Sequence, residues 1–237
     1  MKIVAHRGYS GKYPELTHRA FDEALKLPID GVECDVRLTR DGRLVVQHDK
    51  TIDRTSDGTG LVAKMDFEEL RQFNVGTEDD PQRILLLDEL LELMQDYPDK
   101  ELYLETKHPS RFGPEVEEQV AVRLRYAGLH EDPRINLISF SHAAMRRFAR
   151  LLPALDCYYL VDPRDARWNR NHIFFSKPAG VGPSITQAKA DPVLVGLRGM
   201  NTYMWTVDDP DDMIWCRDNG VDVMATNLPE LALETLR

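Results

Sequence analysis

Carboxylates and histidines in this sequence fall within or at the ends of short apolar runs, where their spacing indicates metal and acid–base chemistry. Glu33 and Asp35 lie two residues apart in one run, and Glu105 lies in a later one. Because side chains alternate faces along a strand, Glu33 and Asp35 point the same way. Converging carboxylates repel one another and raise one another's pKa unless a cation lies between them. Carboxylate oxygens suit Mg²⁺, Ca²⁺ or Mn²⁺, so Glu33, Asp35 and Glu105 are predicted to hold one divalent cation.

A competing interpretation places these carboxylates in a structural ion network with nearby cations. The cations concerned are Arg7, Arg37 and Lys107. For any one carboxylate alone, the network is the better account. Three carboxylates together at the ends of apolar strands favour the metal site, because ionisable groups are seldom buried without a role.

Two histidines, His6 and His48, each close an apolar run beside the carboxylates. Imidazole titrates near neutral pH, so the pair is predicted to act as general acid and general base. In the alternative interpretation the histidines are metal ligands, which would shift the metal preference toward zinc or manganese. Asp49, next to His48, is interpreted as a turn residue, since Asp is common in turns, rather than as a group that orients a histidine.

Strand and helix patterns alternate along the chain, and they must position these groups. Strands are predicted at residues 2–6, 31–36, 102–107, 135–140, 156–161, 180–183, 203–207 and 221–225, with a hairpin strand at 44–48. Helices are predicted at residues 17–27, 66–73, 87–94, 115–127, 142–152, 186–197, 210–219 and 229–236. Such alternation favours a parallel sheet with crossover helices. Eight parallel strands predict a closed (β/α)₈ TIM barrel.

The chain is predicted to be a single barrel domain over residues 1–237. Its 237 residues approach the roughly 250 typical of this barrel. An insertion is predicted between the second and third parallel strands, at approximately residues 49–85, over the barrel mouth. Active sites of such barrels lie at the carboxyl ends of the strands, where the polar residues above are found.

Composition narrows the classes of partner. A net charge of −10, from 30 basic and 40 acidic side chains, disfavours nucleic acid, whose phosphates are bound by Lys and Arg. An anionic substrate therefore needs a local positive group. We find no signal-peptide pattern and no run of about 18 apolar residues, which predicts a cytoplasmic protein without stable membrane insertion. The three cysteines are predicted to be reduced and buried. The oligomeric state is not predicted.

Short motifs recur in order along nearly the whole chain. They are His6-Arg7-Gly8, Pro14-Glu15-Leu16-Thr17, Glu33-x-Asp35, His48-Asp49, Asp53-Arg54-Thr55, Gly58-Thr59-Gly60, Glu105-x-Lys107, Ser139-Phe140, Trp205-Thr206-Val207 and Gly220-Val221-Asp222. Together they resemble the glycerophosphodiester phosphodiesterase family. Leu16 departs from the Asn usual in that family, and residues 84–87 read Ile-Leu-Leu-Leu rather than Ile-Pro-Thr-Leu.

The resemblance implies a barrel that hydrolyses glycerophosphodiesters, small-molecule substrates, to sn-glycerol 3-phosphate and an alcohol. It implies one divalent metal, Mg²⁺ or Ca²⁺ with Mn²⁺ as a third candidate, on the three carboxylates named above. It implies His6 and His48 as the acid–base pair, and Arg7 and Lys107 as phosphate contacts. Trp205 is predicted either to pack against the glycerol carbons of the substrate or to be a barrel-core aromatic.

Three alternative functions have distinguishing features. A lysophospholipid-cleaving member of the same family would carry an apolar rim or a basic patch facing a membrane. A non-catalytic phosphodiester-binding barrel would lack a histidine or a carboxylate of the set, and none is missing. An aldolase or isomerase using Lys107 as a Schiff base is disfavoured, because neighbouring carboxylates keep the amine protonated. The head-group alcohol, the identity of the metal, the roles of the two histidines, and a water or cyclic-phosphate route are left open.

Overall fold

Eight parallel strands close into a barrel in the computed structural model, which describes residues 1–162, 173 and 175–237. The strands in chain order are β1 (Lys2–His6), β2 (Gly31–Leu38), β3 (Leu44–Val46), β4 (Glu101–Thr106), β5 (Ile135–Ser139), β6 (Asp156–Leu160), β7 (Gly180–Gly182), β8 (Asn201–Met204) and β9 (Val223–Thr226). Only β3 is antiparallel within this described part, and it extends the sheet beyond β2. Strand β1 pairs with β2 on one side and β9 on the other, which closes the barrel and confirms the predicted fold.

Helices surround the strands. The helices are α1 (His18–Leu25), α2 (Phe67–Leu70), α3 (Leu87–Gln95), α4 (Glu115–Tyr126), α5 (His142–Leu151), α6 (Ile185–Ala190), α7 (Pro210–Asp218) and α8 (Pro229–Thr235). Helix α1 is capped by Thr17, whose hydroxyl accepts a hydrogen bond from the backbone N–H of Ala20 at 3.1 Å. None of the described helices is long and apolar enough to span a bilayer.

Several predicted elements differ in extent from the structure, among them one helix and one strand near the carboxyl end of the chain. The helix predicted at 186–197 ends at Ala190, and short 3₁₀ turns follow at Pro192–Leu194 and Leu197–Gly199. The residue before a proline disfavours helical backbone, which explains the break at Asp191. The strand predicted at 203–207 ends at Met204. Trp205 and Thr206 therefore follow the strand instead of lying within it.

Alternation along the strands separates an outer core from an inner one. Val32, Cys34 and Val36 of β2 pack with the helices in the outer core. Tyr103, Tyr158 and Tyr203 fill the barrel interior, and their ring centroids lie 5.2–6.2 Å apart. The interior below the mouth is therefore filled by side chains, and the polar residues of β2 are confined to its upper end. The three cysteines, Cys34, Cys157 and Cys216, are free and buried.

The segment between β3 and α3 has a small hydrophobic core of its own. That core contains Val45, Ile52, Val62, Phe67, Leu70, Val75, Ile84 and Leu86. Isolated bridges join Val45 to Leu86 and Thr51 to Leu61, so the segment leaves and rejoins the barrel at nearly the same place. This part of the chain corresponds to the insertion predicted at approximately 49–85.

Candidate active site

The register of the strands brings the predicted carboxylates together. Strands β2 and β4 pair so that Asp35 lies opposite Glu105, and β1 pairs with β2 so that His6 lies opposite Glu33. One ligand oxygen from each of Glu33, Asp35 and Glu105 lies within 4.8 Å of the others. All three side chains are buried, with Glu33 and Asp35 only 1% exposed. The predicted convergence is therefore present in the structure.

The electrostatics of this carboxylate cluster are those of crowded buried anions. Burial, followed by the charge of Asp35, raises the pKa of Glu33 well above its ordinary value. Burial also raises the pKa of Glu105 to about 7, although Lys107 opposes the change. Burial acts to raise the pKa of Asp35 too, but Lys107 and Arg7 outweigh it and lower that pKa to about 2. Two of the three carboxylates thus lack sufficient positive charge from the protein.

Two of the three cations considered in the ion-network interpretation contact the cluster. Arg7 Nε lies 3.3 Å from Asp35 Oδ2. Lys107 Nζ lies 3.2 Å from Asp35 Oδ1 and 2.7 Å from Glu105 Oε1. Burial lowers the pKa of each cation, but the neighbouring carboxylates raise it above its ordinary value, so both stay charged. Arg37 lies apart and bonds to the backbone carbonyl of His48.

Left-handed backbone at the end of β1 sets the position of Arg7. Arg7 has φ 58°, its N–H donates to Glu33 Oε2 at 3.0 Å, and its carbonyl accepts from Leu16 N–H at 3.0 Å. Gly8 follows at φ 72°, and a Cβ there would lie 2.7 Å from the backbone carbon of Ala20 in α1. Only glycine permits that close approach, which packs the start of the loop against the helix.

Leu16, the departure from the family's usual Asn, also has left-handed backbone, with φ 60°. Asn tolerates that conformation better than Leu, for which it costs about 1–2 kcal/mol. Leu16 is only 4% exposed and packs in the outer core. Burying a leucine side chain contributes roughly 1.5–3 kcal/mol, which offsets the backbone cost. The substitution therefore exchanges local backbone preference for core packing.

His6 is oriented by an amide at the carboxyl end of β9. Its Nδ1 lies 2.8 Å from Asn227 Oδ1, and its Nε2 lies 3.8 Å from Glu33 Oε2. Asn227 Nδ2 donates to Asp208 Oδ2 at 2.7 Å, so Oδ1 is the amide atom that faces His6. An amide oxygen only accepts, which requires a proton on Nδ1 and leaves Nε2 as the free acceptor of the neutral ring. Burial, helped by Arg7, lowers the pKa of His6 to about 4.

His48 is oriented by a carboxylate. Its Nδ1 lies 2.7 Å from Asp49 Oδ1, so Asp49 has the orienting position that the turn interpretation did not favour. Arg54 Nε donates to Asp49 Oδ2 at 2.6 Å, and the Arg54 guanidinium also binds both oxygens of Glu15. Glu15 in turn accepts from Arg7 at 3.0 Å. Burial lowers the pKa of His48, while Asp35 and Asp49 act to raise it.

A cavity of about 410 Å³ opens above these residues at the barrel mouth. Its polar side is formed by His6, Arg7, Glu33, His48, Glu105, Lys107, His108, Asp162 and Thr206, and its apolar side by Ile138, Phe140, Leu160, Tyr203 and Trp205. Trp205 stacks edge-on against Phe140 with centroids 5.3 Å apart, and its Nε1 donates to the carbonyl of Gly182 at 2.8 Å. It packs on the inner core, as one predicted alternative had it, and it also lines the cavity, while contact with the glycerol carbons stays a prediction.

The cluster is chemically suited to a divalent cation. Its three carboxylates are buried and close together, and Asp35 Oδ2 is buried without a hydrogen-bond partner among the described residues. Oxygen ligands of this kind suit Mg²⁺ or Ca²⁺. Neither histidine presents an atom to the group of carboxylate oxygens that converge within 4.8 Å. The residues present therefore fit a hard cation better than zinc.

Several site residues were not predicted from the sequence. Asn227 follows β9 directly, so the rule that polar residues after barrel strands form the site would have identified it. Asp208 holds the Asn227 amide, whereas the adjacent Asp209 caps α7. Arg54 and Glu15 belong to quoted motifs, but nothing in their spacing indicated that they would pair across 39 residues.

Sequence comparisons with a family model and with known proteins point to the same family. The family described as the Glycerophosphoryl diester phosphodiesterase family matches residues 6–231. A protein of Mycobacterium tuberculosis called "Probable glycerophosphodiester phosphodiesterase 1" is 39% identical over 96% of this chain and 89% of its own length. A Bacillus altitudinis glycerophosphodiester phosphodiesterase is 36% identical over 98% and 97% of the two chains.

The fold comparison agrees with the sequence comparison. A phosphodiesterase of Oleispira antarctica, solved in complex with the product sn-glycerol-3-phosphate, superimposes with a TM-score of 0.86. It is 26% identical and the match covers 100% of this chain and 96% of that one. The barrel fold is therefore shared with that phosphodiesterase.

Proposed function

Because the chain belongs to the glycerophosphoryl diester phosphodiesterase family, we propose that it hydrolyses glycerophosphodiesters to sn-glycerol 3-phosphate and an alcohol. The observation that carries the proposal is the buried cluster of Glu33, Asp35 and Glu105, with two oriented histidines at the same barrel mouth. The product bound in the Oleispira antarctica phosphodiesterase supports the same chemistry.

The carboxylate cluster is proposed to hold one divalent cation, Mg²⁺ or Ca²⁺. Glu33, Asp35 and Glu105 would be its protein ligands, and the bound ion would supply positive charge to a non-bridging phosphate oxygen. Arg7 and Lys107 remain protonated and line the same cavity, so they are proposed to contact the phosphate as well. The planar guanidinium of Arg7 suits two phosphate oxygens at once.

The two histidines are proposed to divide the proton transfers according to their partners. His6 is held by a neutral amide and keeps Nε2 unprotonated, so it is the general base. His48 is held by the Asp49 carboxylate, which stabilises its charged form, so it is the general acid that protonates the leaving alcohol. The oxygen that His6 deprotonates is either water or the neighbouring glycerol hydroxyl. A cyclic glycerol phosphate detected during turnover would identify the second route.

The first experiment measures release of glycerol 3-phosphate from glycerophosphocholine and glycerophosphoethanolamine. We expect EDTA to abolish the release and one of Mg²⁺, Ca²⁺ or Mn²⁺ to restore it, because the buried carboxylates require a counter-charge. Absence of release with every metal would contradict the proposed activity.

The apolar wall of Trp205 and Phe140 is proposed to contact the glycerol carbons.

Replacing each histidine separates their roles. His6→Ala and His48→Ala are each expected to slow turnover of glycerophosphocholine about 10²–10⁴-fold, the usual contribution of a general acid or base. A nitrophenyl ester of glycerol phosphate has a leaving group that needs no proton. It should therefore restore much of the rate to His48→Ala and none to His6→Ala. The opposite pattern would exchange the two assignments.

A further inference from the structure

A second cavity of about 230 Å³ adjoins the barrel mouth and is lined by cations. We call it the cationic groove and define it by Arg37, Lys50, Lys64, Lys107 and Arg111. Leu38, Val62 and Phe112 are among its apolar lining residues. No Asp or Glu is among the described residues that line it. In a chain with a net charge of −10, a groove lined by five cations and by no acidic side chain among its described residues indicates a site for an anion.

Arg37 is the least exposed of these cations apart from Lys107, and it is not neutralised. Its Nε and Nη2 both donate to the backbone carbonyl of His48, at 2.8 and 2.7 Å. Within the described ranges, no carboxylate lies in ion-pair distance of its guanidinium. Burying a guanidinium that is bound only to one neutral carbonyl costs free energy unless an anion also approaches it.

The exposed cations of the groove are also left without carboxylate partners in the part of the chain that the structure describes. Lys50, Lys64 and Arg111 form no ion pair there. By contrast, Arg40, two residues from the end of β2, binds Asp66 at 2.7 Å and Glu69 at 3.2 Å. Arg40 beside the groove is thus paired, whereas the exposed cations that line the groove are not.

Lys107 connects the groove to the reaction site, because its side chain lines both cavities. On the basis of the proposed function, we propose that the cationic groove binds a second anionic group carried by the leaving alcohol of the substrate. The substrate class is then a glycerophosphodiester whose alcohol bears a phosphate. A neutral or cationic alcohol such as choline gains nothing from this groove.

The test compares two substrates that differ only in that group. They are glycerophosphoglycerol and the same diester phosphorylated on its distal hydroxyl. Wild-type kcat/KM is expected to be higher for the phosphorylated diester. In Lys64→Ala/Arg111→Ala, that kcat/KM should fall about tenfold through KM, since two exposed ion pairs together contribute on the order of a factor of ten. Turnover of glycerophosphoglycerol should be unchanged, which also verifies folding.

Charge-matched controls isolate the groove from the net charge. Arg146→Ala/Arg150→Ala removes two exposed positive charges from α5 and should leave both substrates unaffected. Lys50→Ala serves as a second groove variant and should reduce kcat/KM about threefold for the phosphorylated diester alone, within the range of one exposed pair.

Three results would overturn the proposal in distinguishable ways. If wild type cleaves both diesters equally well, the subsite assignment is wrong and the proposed function stands. If it cleaves neither, the proposed function fails and the subsite with it. If the groove variants lose binding to vesicles of phosphatidylglycerol while treating both soluble diesters as wild type does, the groove serves an anionic membrane surface instead.

Discussion

The two histidines at the barrel mouth differ in the charge of the group that holds them. His6 meets the amide of Asn227, whereas His48 meets the carboxylate of Asp49. Both acceptors fix the tautomer and favour the imidazolium, and the charged one does so more strongly. In the proposed mechanism, this difference assigns opposite proton transfers to two chemically identical side chains.

Asn227 is expected to act on His6 as a positioning residue. Asn227→Ala removes the acceptor that fixes Nδ1–H, so kcat for glycerophosphocholine should fall about 100-fold, as expected for a misplaced reacting group. KM should stay near the wild-type value, because Asn227 does not line the cavity. Ser10→Ala is the control, since Ser10 Oγ lies 2.7 Å from the same amide oxygen and 2.8 Å from the His6 backbone carbonyl but contacts neither nitrogen of the imidazole ring. A change in KM with kcat retained would contradict the positioning role.

At the scale of single residues, the sequence predicted that the carboxylates converge, because strand alternation and barrel geometry suffice to bring Glu33, Asp35 and Glu105 together. It did not predict the partners of the histidines. Asn227 lies 221 residues from His6, and only barrel closure makes them neighbours. Contacts of that kind depend on three-dimensional register, which no local pattern encodes.

At the scale of secondary-structure elements, a buried carboxylate joins helices α4 and α5. Glu117 of α4 is fully buried, and its two oxygens lie 2.6 Å from His108 Nε2 and 2.6 Å from Arg147 Nε. His108 lines the mouth cavity, so this contact connects the helix layer to the site. Burial acts to raise the pKa of Glu117, but His108 and Arg147 lower it below its ordinary value.

Glu117→Gln should destabilise the protein in a pH-dependent manner. At pH 7 the loss is expected to be roughly 3 kcal/mol, because a buried ion pair loses its anion. A depressed folded-state pKa stabilises the protein above the ordinary pKa of a glutamate, and this stability is lost as pH falls through the lower folded value. The difference between variant and wild type should therefore shrink on acidification. Urea denaturation from pH 7 down to about pH 2 measures it, because the change falls below the ordinary pKa of a glutamate.

The neighbouring residue provides the matched control. Glu118→Gln changes the same charge on an exposed position of α4 and should alter stability by less than about 0.5 kcal/mol at any pH in that range. A pH-independent difference for Glu117→Gln would show that packing, and not charge, is responsible.

Element boundaries were predicted less well than element types. The β8 strand was placed too late because Trp205 and Val207 continue the apolar pattern, although Trp205 has turned to bond the Gly182 carbonyl. The short helix α6 was extended because the apolar pattern continues beyond it, into 3₁₀ turns. Strand count and order survived these errors, since each strand still contributes one buried run to the barrel.

At the scale of the whole molecule, the carboxylate cluster lowers the stability of the protein, because burial disfavours its negative charges. Its anions raise one another's pKa in the absence of a cation, so the ion-free protein carries an electrostatic cost. Binding of a divalent cation should remove that cost and raise the melting temperature. At a metal concentration of about 100 Kd, the gain is roughly 2.7 kcal/mol. For a chain of this length that corresponds to about 5–10 °C.

Glu33→Gln tests this expectation without measuring activity. Thermal melting in EDTA should show the variant at least as stable as wild type, because one buried charge is gone. Addition of Mg²⁺ or Ca²⁺ should raise the wild-type melting temperature and leave that of Glu33→Gln nearly unchanged. Glu92→Gln, on the exposed face of α3, should respond as wild type does. If the melting temperature of Glu33→Gln responded to metal as wild type does, the cation would not bind at the carboxylate cluster.

Barrel closure has a consequence for the order in which function is acquired during synthesis. The first strand of the chain pairs with the last, and His6, made at the beginning, depends on Asn227, made near the end. A nascent chain that ends before residue 227 has both histidines and all three carboxylates but lacks the amide that orients His6. In the proposed mechanism, the base is therefore oriented only after nearly the whole barrel has been synthesised.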